Sequence, residues 1–244
     1  MRLVIIGHGA MGQLVYALAE REGHEINLIV DSKRHAQTAL ELADDVRGHD
    51  AAVDFSVASA VLRNAEACAR AGVPLVEGTT GWHEEAGQVR RIVEAHDGAL
   101  VVGANFSLGV NLFYRLAARA AELFAGFDAY APFIEEAHHA RKRDAPSGTA
   151  LRLRELLAAR YVSGDDHAVD ISVASTRAGY IPGTHLVGFD SAIDTVTLTH
   201  TARTREGFAA GALVAARWIE GRRGVYEFAE VIDEMIAERT TTQT

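Results

Sequence analysis

Up to residue 103, short unbroken apolar runs alternate with stretches in which apolar positions recur every three or four residues. The runs at 2–6, 25–30, 51–55, 74–77 and 99–103 predict strands, and the spacing over 11–21, 58–71 and 84–96 predicts helices. Runs without polar alternation belong to strands covered on both faces, so the rhythm predicts a doubly wound parallel sheet. The pattern changes after Asn105. A helix is predicted over 108–123, then longer strands at 130–138, 170–177 and 194–202. In the last of these, Val196, Leu198 and His200 alternate with Thr195, Thr197 and Thr199, the period of a half-buried antiparallel strand. Strands that follow one another without intervening helices predict a second, α+β domain with a mostly antiparallel or mixed sheet. Helices are expected again at 208–220 and 226–238, and the tail 240–244 has nothing to bury. The division is therefore residues 1–107 with 206–244 as one domain and 108–205 as the other.

The bulk numbers exclude several classes. The chain has 244 residues, 48% hydrophobic and 23% charged, with a formal net charge of −9. That charge argues against a nucleic-acid partner, which needs a basic face. No apolar run approaches the roughly 18 residues of a membrane span, so no membrane partner is expected. The one cysteine, Cys68, rules out an internal disulfide and sits in a predicted helix as an inert buried thiol. With a strand starting at once and no signal-peptide pattern, the expected compartment is the cytoplasm.

Two groups of residues carry candidate chemistry. The first is Gly7-His8-Gly9-Ala10-Met11-Gly12, a G-x-G-x-x-G loop that follows a strand and opens a helix. In that context Gly7, Gly9, Met11 and Gly12 predict a Rossmann-like dinucleotide site, the pyrophosphate resting on the helix N-terminus. Asp31 closes the second strand, where an acid binds the adenosine ribose of NAD, while Lys33 and Arg34 beside it suit the 2′-phosphate of NADP. NADH and NADPH both remain open. Gly78-Thr79-Thr80-Gly81 and Gly103-Ala104-Asn105-Phe106-Ser107 end the next strands on the same sheet edge. Their small residues suit the nicotinamide end.

The second group is residues 136–150, E-A-H-H-A-R-K-R-D-A-P-S-G-T-A. A histidine hands over a proton near neutral pH, and the cations and a helix start hold carboxylates. The combination predicts a site that protonates a small carboxylated substrate. Ser147 is expected to cap the helix opened by Gly148 and Thr149, and Asp144 to orient the basic loop. A metal is not expected, because no third ligand lies at metal spacing from His138 and His139 and no H-E-x-x-H occurs. His185 and His200 are read as structural or interface residues.

Together these segments resemble the 4-hydroxy-tetrahydrodipicolinate reductase (dihydrodipicolinate reductase) family. The resemblance runs over nearly the whole chain: the loop at Gly7 to Gly12, Val53-Asp54-Phe55-Ser56, Gly78 to Gly81, Ala104-Asn105-Phe106-Ser107 and residues 136–150. Arg177-Ala178-Gly179, Gly183-Thr184-His185 and His200-Thr201-Ala202 continue it. The core starting at His138, His-His-x-x-Lys-x-Asp-Ala-Pro-Ser-Gly-Thr, is its most specific part. The glycine loop departs from the longer arginine-bearing form of many members, which bears on cofactor choice. The resemblance implies reduction of a cyclic dicarboxylate, or its dehydrated form, by NADH or NADPH. His138 would be the acid–base residue and Lys142 a proton donor or stabiliser. His139, Gly148 and Thr149 would bind the substrate, and Thr79, Thr80, Ala104, Asn105 and Phe106 would join the cofactor site. It also implies a homotetramer built through the second domain. Rival readings are another two-domain nicotinamide dehydrogenase and a silent dinucleotide sensor, the latter disfavoured by the intact His138 and Lys142.

Overall fold

The computed structural model describes residues 1–34, 36–161 and 170–241, with residues 240 and 241 described by backbone only. In chain order the elements are β1 (Arg2–Ile6), α1 (Ala10–Arg21), β2 (Glu25–Val30), α2 (Ala39–Val46), β3 (Ala51–Asp54), α3 (Ala58–Ala71), β4 (Leu75–Glu77), α4 (Ala86–Ala95) and β5 (Ala99–Val102). There follow α5 (Leu108–Phe124), β6 (Ala131–His138), α6 (Gly148–Ala158), β7 (Ser172–Arg177), β8 (Thr184–Asp190), β9 (Thr195–Thr201), α7 (Glu206–Ile219), β10 (Gly224–Glu227) and α8 (Phe228–Thr241). They fall into two units, Met1–Leu108 with Arg205–Thr244, and Gly109–Thr204. No described helix is long and apolar enough to cross a membrane.

The first unit is a six-stranded sheet in the order β10-β5-β4-β3-β1-β2, parallel throughout. Leu3, Val4, Ile5 and Ile6 are all buried because alternate residues face two different cores. On one face Leu3, Ile5 and Val53 meet α1, α7 and α8 through Val15, Leu213 and Val231. On the other Val4, Ala52 and Leu75 meet α2, α3 and α4 through Leu42, Val61 and Val93. All strand C-termini leave the sheet along one edge, where open α/β sheets bind ligands.

The second unit is a four-stranded mixed sheet, β7-β6-β8-β9, with β6 and β7 parallel and the other pairs antiparallel. Its core joins Ile134, Val187 and Phe189 to Phe113 and Ala117 of α5 and to Leu153 and Leu157 of α6. In β9, Leu198 and His200 are half-buried between exposed threonines, as the alternation predicts, whereas Val196 on the same face is exposed. The predicted fold class, a Rossmann-like sheet plus a mixed-sheet α+β module, is therefore the observed one.

Three elements differ from the pattern. Residues 226–227, expected to open the last helix, belong to β10, which pairs with β5 and starts from a Gly224 N–H bond to the Gly98 carbonyl. A four-residue half-buried edge strand directly joined to a helix has no period of its own to read. β8 was not anticipated either. Its apolar run is broken by Gly188, where a Cβ would lie 2.2 Å from the Phe133 ring, so the glycine is there for cross-strand packing. α2 is short and was also missed, although Thr38 and Glu41 form a complete capping box ahead of it. The end of the expected tail, residues 242–244, lies outside the described residues.

Candidate active site

In the second unit, strand register assembles a cluster that residue spacing does not reveal. Glu136 and His138 lie two apart on β6 and so share a face. Register sets Glu136 between Ser175 of β7 and His185 of β8, and His138 beside Arg177. Glu136 Oε1 accepts from Arg177 Nη2 at 2.6 Å, Ser175 Oγ at 2.7 Å and the Ser147 amide at 3.1 Å. Glu136 Oε2 lies 2.7 Å from His138 Nδ1, an ion-pair contact not aligned as a hydrogen bond, and 4.0 Å from His185 Nε2. The His138 and His185 rings meet edge-on, with centroids 5.0 Å apart.

Charge state follows from this packing. Burial by itself would raise the Glu136 carboxyl, but the bonds from Ser175, Arg177 and Ser147 outweigh it and hold the pKa at about 2. Burial lowers the His138 pKa, and Lys142 and Arg177 lower it further against the pull of Glu136. His185 is pushed down to about 4, by burial first and by His138 second. A carboxylate held ionised therefore stands behind an imidazole whose pKa is lowered.

The loop after β6 carries the remaining predicted residues. β6 ends at His138, so His139 is not constrained to the opposite strand face, and among the described residues the Nδ1 of its half-buried ring has no partner. The Lys142 amide bonds the His139 carbonyl at 3.0 Å, and Lys142 Nζ pairs with Asp144 Oδ1 at 2.9 Å. Asp144 thus steadies the basic loop, whose main chain is held again by Arg177 Nη2 on the Asp144 carbonyl at 2.6 Å. Ser147 caps α6, accepting from the Ala150 amide at 3.2 Å, and its hydroxyl also lies 3.1 Å from His185 Nε2. Among the described residues no acceptor meets the Gly148 or Thr149 amide, which leaves that helix start open to an anion.

One correction concerns metal chemistry. Residue spacing offered no third ligand, yet Glu136, His138 and His185 bring their ligand atoms within 4.8 Å of one another. Arg177, with its guanidinium on Glu136 at 2.6 Å, occupies the carboxylate as a cation would, which favours a proton-handling cluster over a metal site. His185, read from the sequence as structural or interfacial, stands in this cluster. Glu136 and Arg177 received no role from the sequence, although the i, i+2 spacing of Glu136 and His138 on a strand was the available signal.

In the first unit, β1 is followed by Gly7, whose φ of +84° and a would-be Cβ 2.5 Å from the Phe55 carbonyl oxygen both require glycine. Gly12 packs against this turn: a Cβ there would meet the Gly7 carbonyl oxygen at 1.8 Å. Gly9 differs, since nothing lies within 4 Å of a Cβ there. It caps α1 without a side chain, and the helix has no acid in its first turn. Those features fit a pyrophosphate. Met11 is half-buried beside them. Asp31 follows β2 and accepts from the Lys33 amide at 2.9 Å, while the Arg34 guanidinium is paired with Asp45. Thr79 and Thr80, after β4, and Gly103 and Ala104, after β5, line a cavity of about 400 Å³ together with Glu77 and Arg90. Asn105 turns the chain, its Oδ1 accepting from the Ser107 amide at 2.9 Å. Phe106 is 2% exposed and packs on Phe228 and Phe55, so its side chain belongs to the core.

Residues 1–106 match the family described as "Dihydrodipicolinate reductase, N-terminus", and residues 109–232 match "Dihydrodipicolinate reductase, C-terminus". The 4-hydroxy-tetrahydrodipicolinate reductase of Christiangramia forsetii is 34% identical over 248 residues, spanning 96% of this chain and 99% of the relative. That of Myxococcus xanthus is 39% identical over 242 residues, spanning 93% and 84%. Among solved structures, dipicolinate-bound dihydrodipicolinate reductase from Paenisporosarcina sp. TG-14 aligns with a TM-score of 0.75 at 21% identity, over 93% of this chain and 97% of that one. At that identity the likeness is one of fold.

Proposed function

The chain belongs to the dihydrodipicolinate reductase family, and from that membership we propose how its residues divide the reaction. It is an NAD(P)H-dependent 4-hydroxy-tetrahydrodipicolinate reductase of diaminopimelate and lysine biosynthesis. Residues 1–107 with 206–244 hold the cofactor, and 108–205 hold the substrate. The nicotinamide supplies the hydride. Hydride addition to the conjugated ring leaves an electron pair that needs a proton, and His138 delivers it. Glu136 holds the His138 ring in place and stabilises its protonated form. The Lys142 ammonium stabilises negative charge on the substrate or gives the proton in its turn. His139 and the free Gly148 and Thr149 amides bind the carboxylates. The observation that carries this reading is His138 backed at 2.7 Å by a buried carboxylate and followed by Lys142 and an open helix start.

NADH is the preferred donor in this reading, with NADPH also used. Asp31 suits a free ribose and repels a 2′-phosphate, and of the adjacent cations Arg34 is engaged by Asp45. The second unit builds a homotetramer through its sheet, a role supported by β9, which carries no charged residue to guard its edge and exposes Val196. Sedimentation would test that assembly. The single buried thiol agrees with the reducing cytoplasm.

The test supplies the unstable substrate from pyruvate and aspartate semialdehyde with its synthase and follows the near-ultraviolet absorbance of NADH and NADPH separately. Consumption dependent on the synthase is expected, faster with NADH. Replacing His138 by Gln should cost about 10²–10⁴ in kcat while leaving cofactor binding intact. Wild-type protein that binds cofactor but never consumes it would instead be a dinucleotide sensor.

A further inference from the structure

Beneath the cofactor edge of the first unit lie two acids that the reaction does not use. Asp54 ends β3 and Glu77 ends β4, directly opposite each other in the parallel register, and they are 0% and 1% exposed. Three of their four carboxyl oxygens have donors. Asp54 Oδ1 accepts from the Ser56 amide at 2.8 Å and from Thr79 Oγ1 at 3.4 Å, and Oδ2 accepts from Asn64 Nδ2 at 2.6 Å. Glu77 Oε1 accepts from the Thr79 amide at 2.7 Å. Among the described residues, Glu77 Oε2 alone of the four is buried with no partner. Two adjacent buried carboxylates with no contacting cation among the described residues do not both stay ionised, and the oxygen that lacks a donor is the one that can be a donor itself.

We propose that Glu77 is a positioning residue for the reductase: it carries the single proton of the Asp54–Glu77 pair and through it fixes the Ser56 and Thr79 turns that seat the nicotinamide half of the cofactor. This rests on the reading that the Gly78–Thr80 loop contacts the cofactor. The two turns are already one structure, since the Ser56 amide also donates to Thr79 Oγ1 at 3.1 Å. A proton between the acids closes that network, and its loss leaves two charges facing each other below the loop.

The groups packed around the pair come from two helices and a strand. From α3 come Asn64, whose Oδ1 is held by the Arg63 guanidinium at 2.7 Å, and the Cys68 thiol. Arg90 of α4 and Glu227 of β10 line the same cavity as Glu77. Burial raises both acids, and the Asp54 charge raises Glu77 well above the ordinary carboxyl range. Burial and the two acids also push the Cys68 thiol up, so it stays protonated and inert.

The experiment measures NADH affinity by fluorescence against pH for wild type, Glu77→Ala, Glu77→Gln and Thr80→Tyr, with infrared spectra of the wild type and the Gln variant free of cofactor. Wild type should show the carbonyl stretch of a protonated acid at neutral pH, absent in Glu77→Gln, and should lose affinity with one proton at alkaline pH. Glu77→Ala should weaken NADH about tenfold. Glu77→Gln keeps a donor toward Asp54, so it should restore most of that affinity and abolish the alkaline loss. An infrared spectrum without the acid band overturns the proposal, as does a Gln variant with the wild-type pH profile. So does a folded Ala variant that binds like wild type while Thr80→Tyr does not bind. Wild-type affinity in Thr80→Tyr would instead overturn the underlying reading of the loop. If Glu77→Ala fails to fold, the Gln profile and the spectra decide.

Discussion

Each unit buries an acid cluster at a strand end, and the two have solved the cost of burial in opposite ways. In the second unit Glu136 is surrounded by donors and a guanidinium, so it stays charged, with its pKa held at about 2. In the first unit Asp54 and Glu77 have amide and hydroxyl donors but, among the described residues, no contacting cation, so the pair keeps a proton. The difference shows that burial alone does not set charge state; the number and charge of the donors do. A charged carboxylate suits a residue that must stabilise a histidinium, and a protonated pair suits one that must only hold loops still.

The largest test of this contrast removes the charged acid. Glu136→Ala strands Arg177 and His138 without their anion and should cost about 3–5 kcal/mol, read from thermal or urea unfolding. Acid pH should separate the two clusters next. Glu136 binds its proton more weakly in the folded chain than in the unfolded one, so its contribution is present above pH 4.5 and disappears as pH falls toward 2. His185, lowered to about 4, likewise costs stability as pH falls from 6.5 to 4. Each accounts for about 3 kcal/mol at most, because neighbouring groups share their titration. The Asp54–Glu77 pair has the opposite sign: its raised pKa values stabilise at low pH and lose that contribution as pH rises. Hydrogen exchange corrected for intrinsic rates should therefore show β6 weakening relative to β3 and β4 as pH falls. Parallel behaviour of the two sheets would break the comparison.

A smaller effect concerns catalysis. His138 must be protonated to act as an acid, and its pKa in the free enzyme is depressed. Activity on kcat/KM should then fall as pH rises through that lowered value. A bound dicarboxylate raises the pKa, so the fall in kcat should come roughly one pH unit higher. The smallest expected change is Ser147→Ala, which deletes the α6 cap and the His185 contact for about 1 kcal/mol.

Legibility followed the range of the interactions. The parallel sheet could be read because buried strands are continuous apolar runs, and the glycine loop because Gly7 and Gly12 meet requirements local to one turn. The Ser147 cap was equally local. β8 and β10 were not legible, since Gly188 and the short Gly224–Glu227 segment make sense only against Phe133 and β5. Phe106 carried a motif signal that read as a cofactor contact, whereas its ring fills the core against Phe228.

By itself, the order of residues determined the fold class, the glycine loop, the capped helix start and the candidacy of His138 and Lys142, because each depends on neighbours a few positions away. Only the tertiary structure decided what charge those residues work in. Glu136 meets Arg177 and His185 across 41 and 49 positions, and Asp54 meets Glu77 across 23, through strand register. Desolvation and the donors gathered around a buried carboxyl exist only once the sheets have formed, and they alone separate a permanent anion from a retained proton.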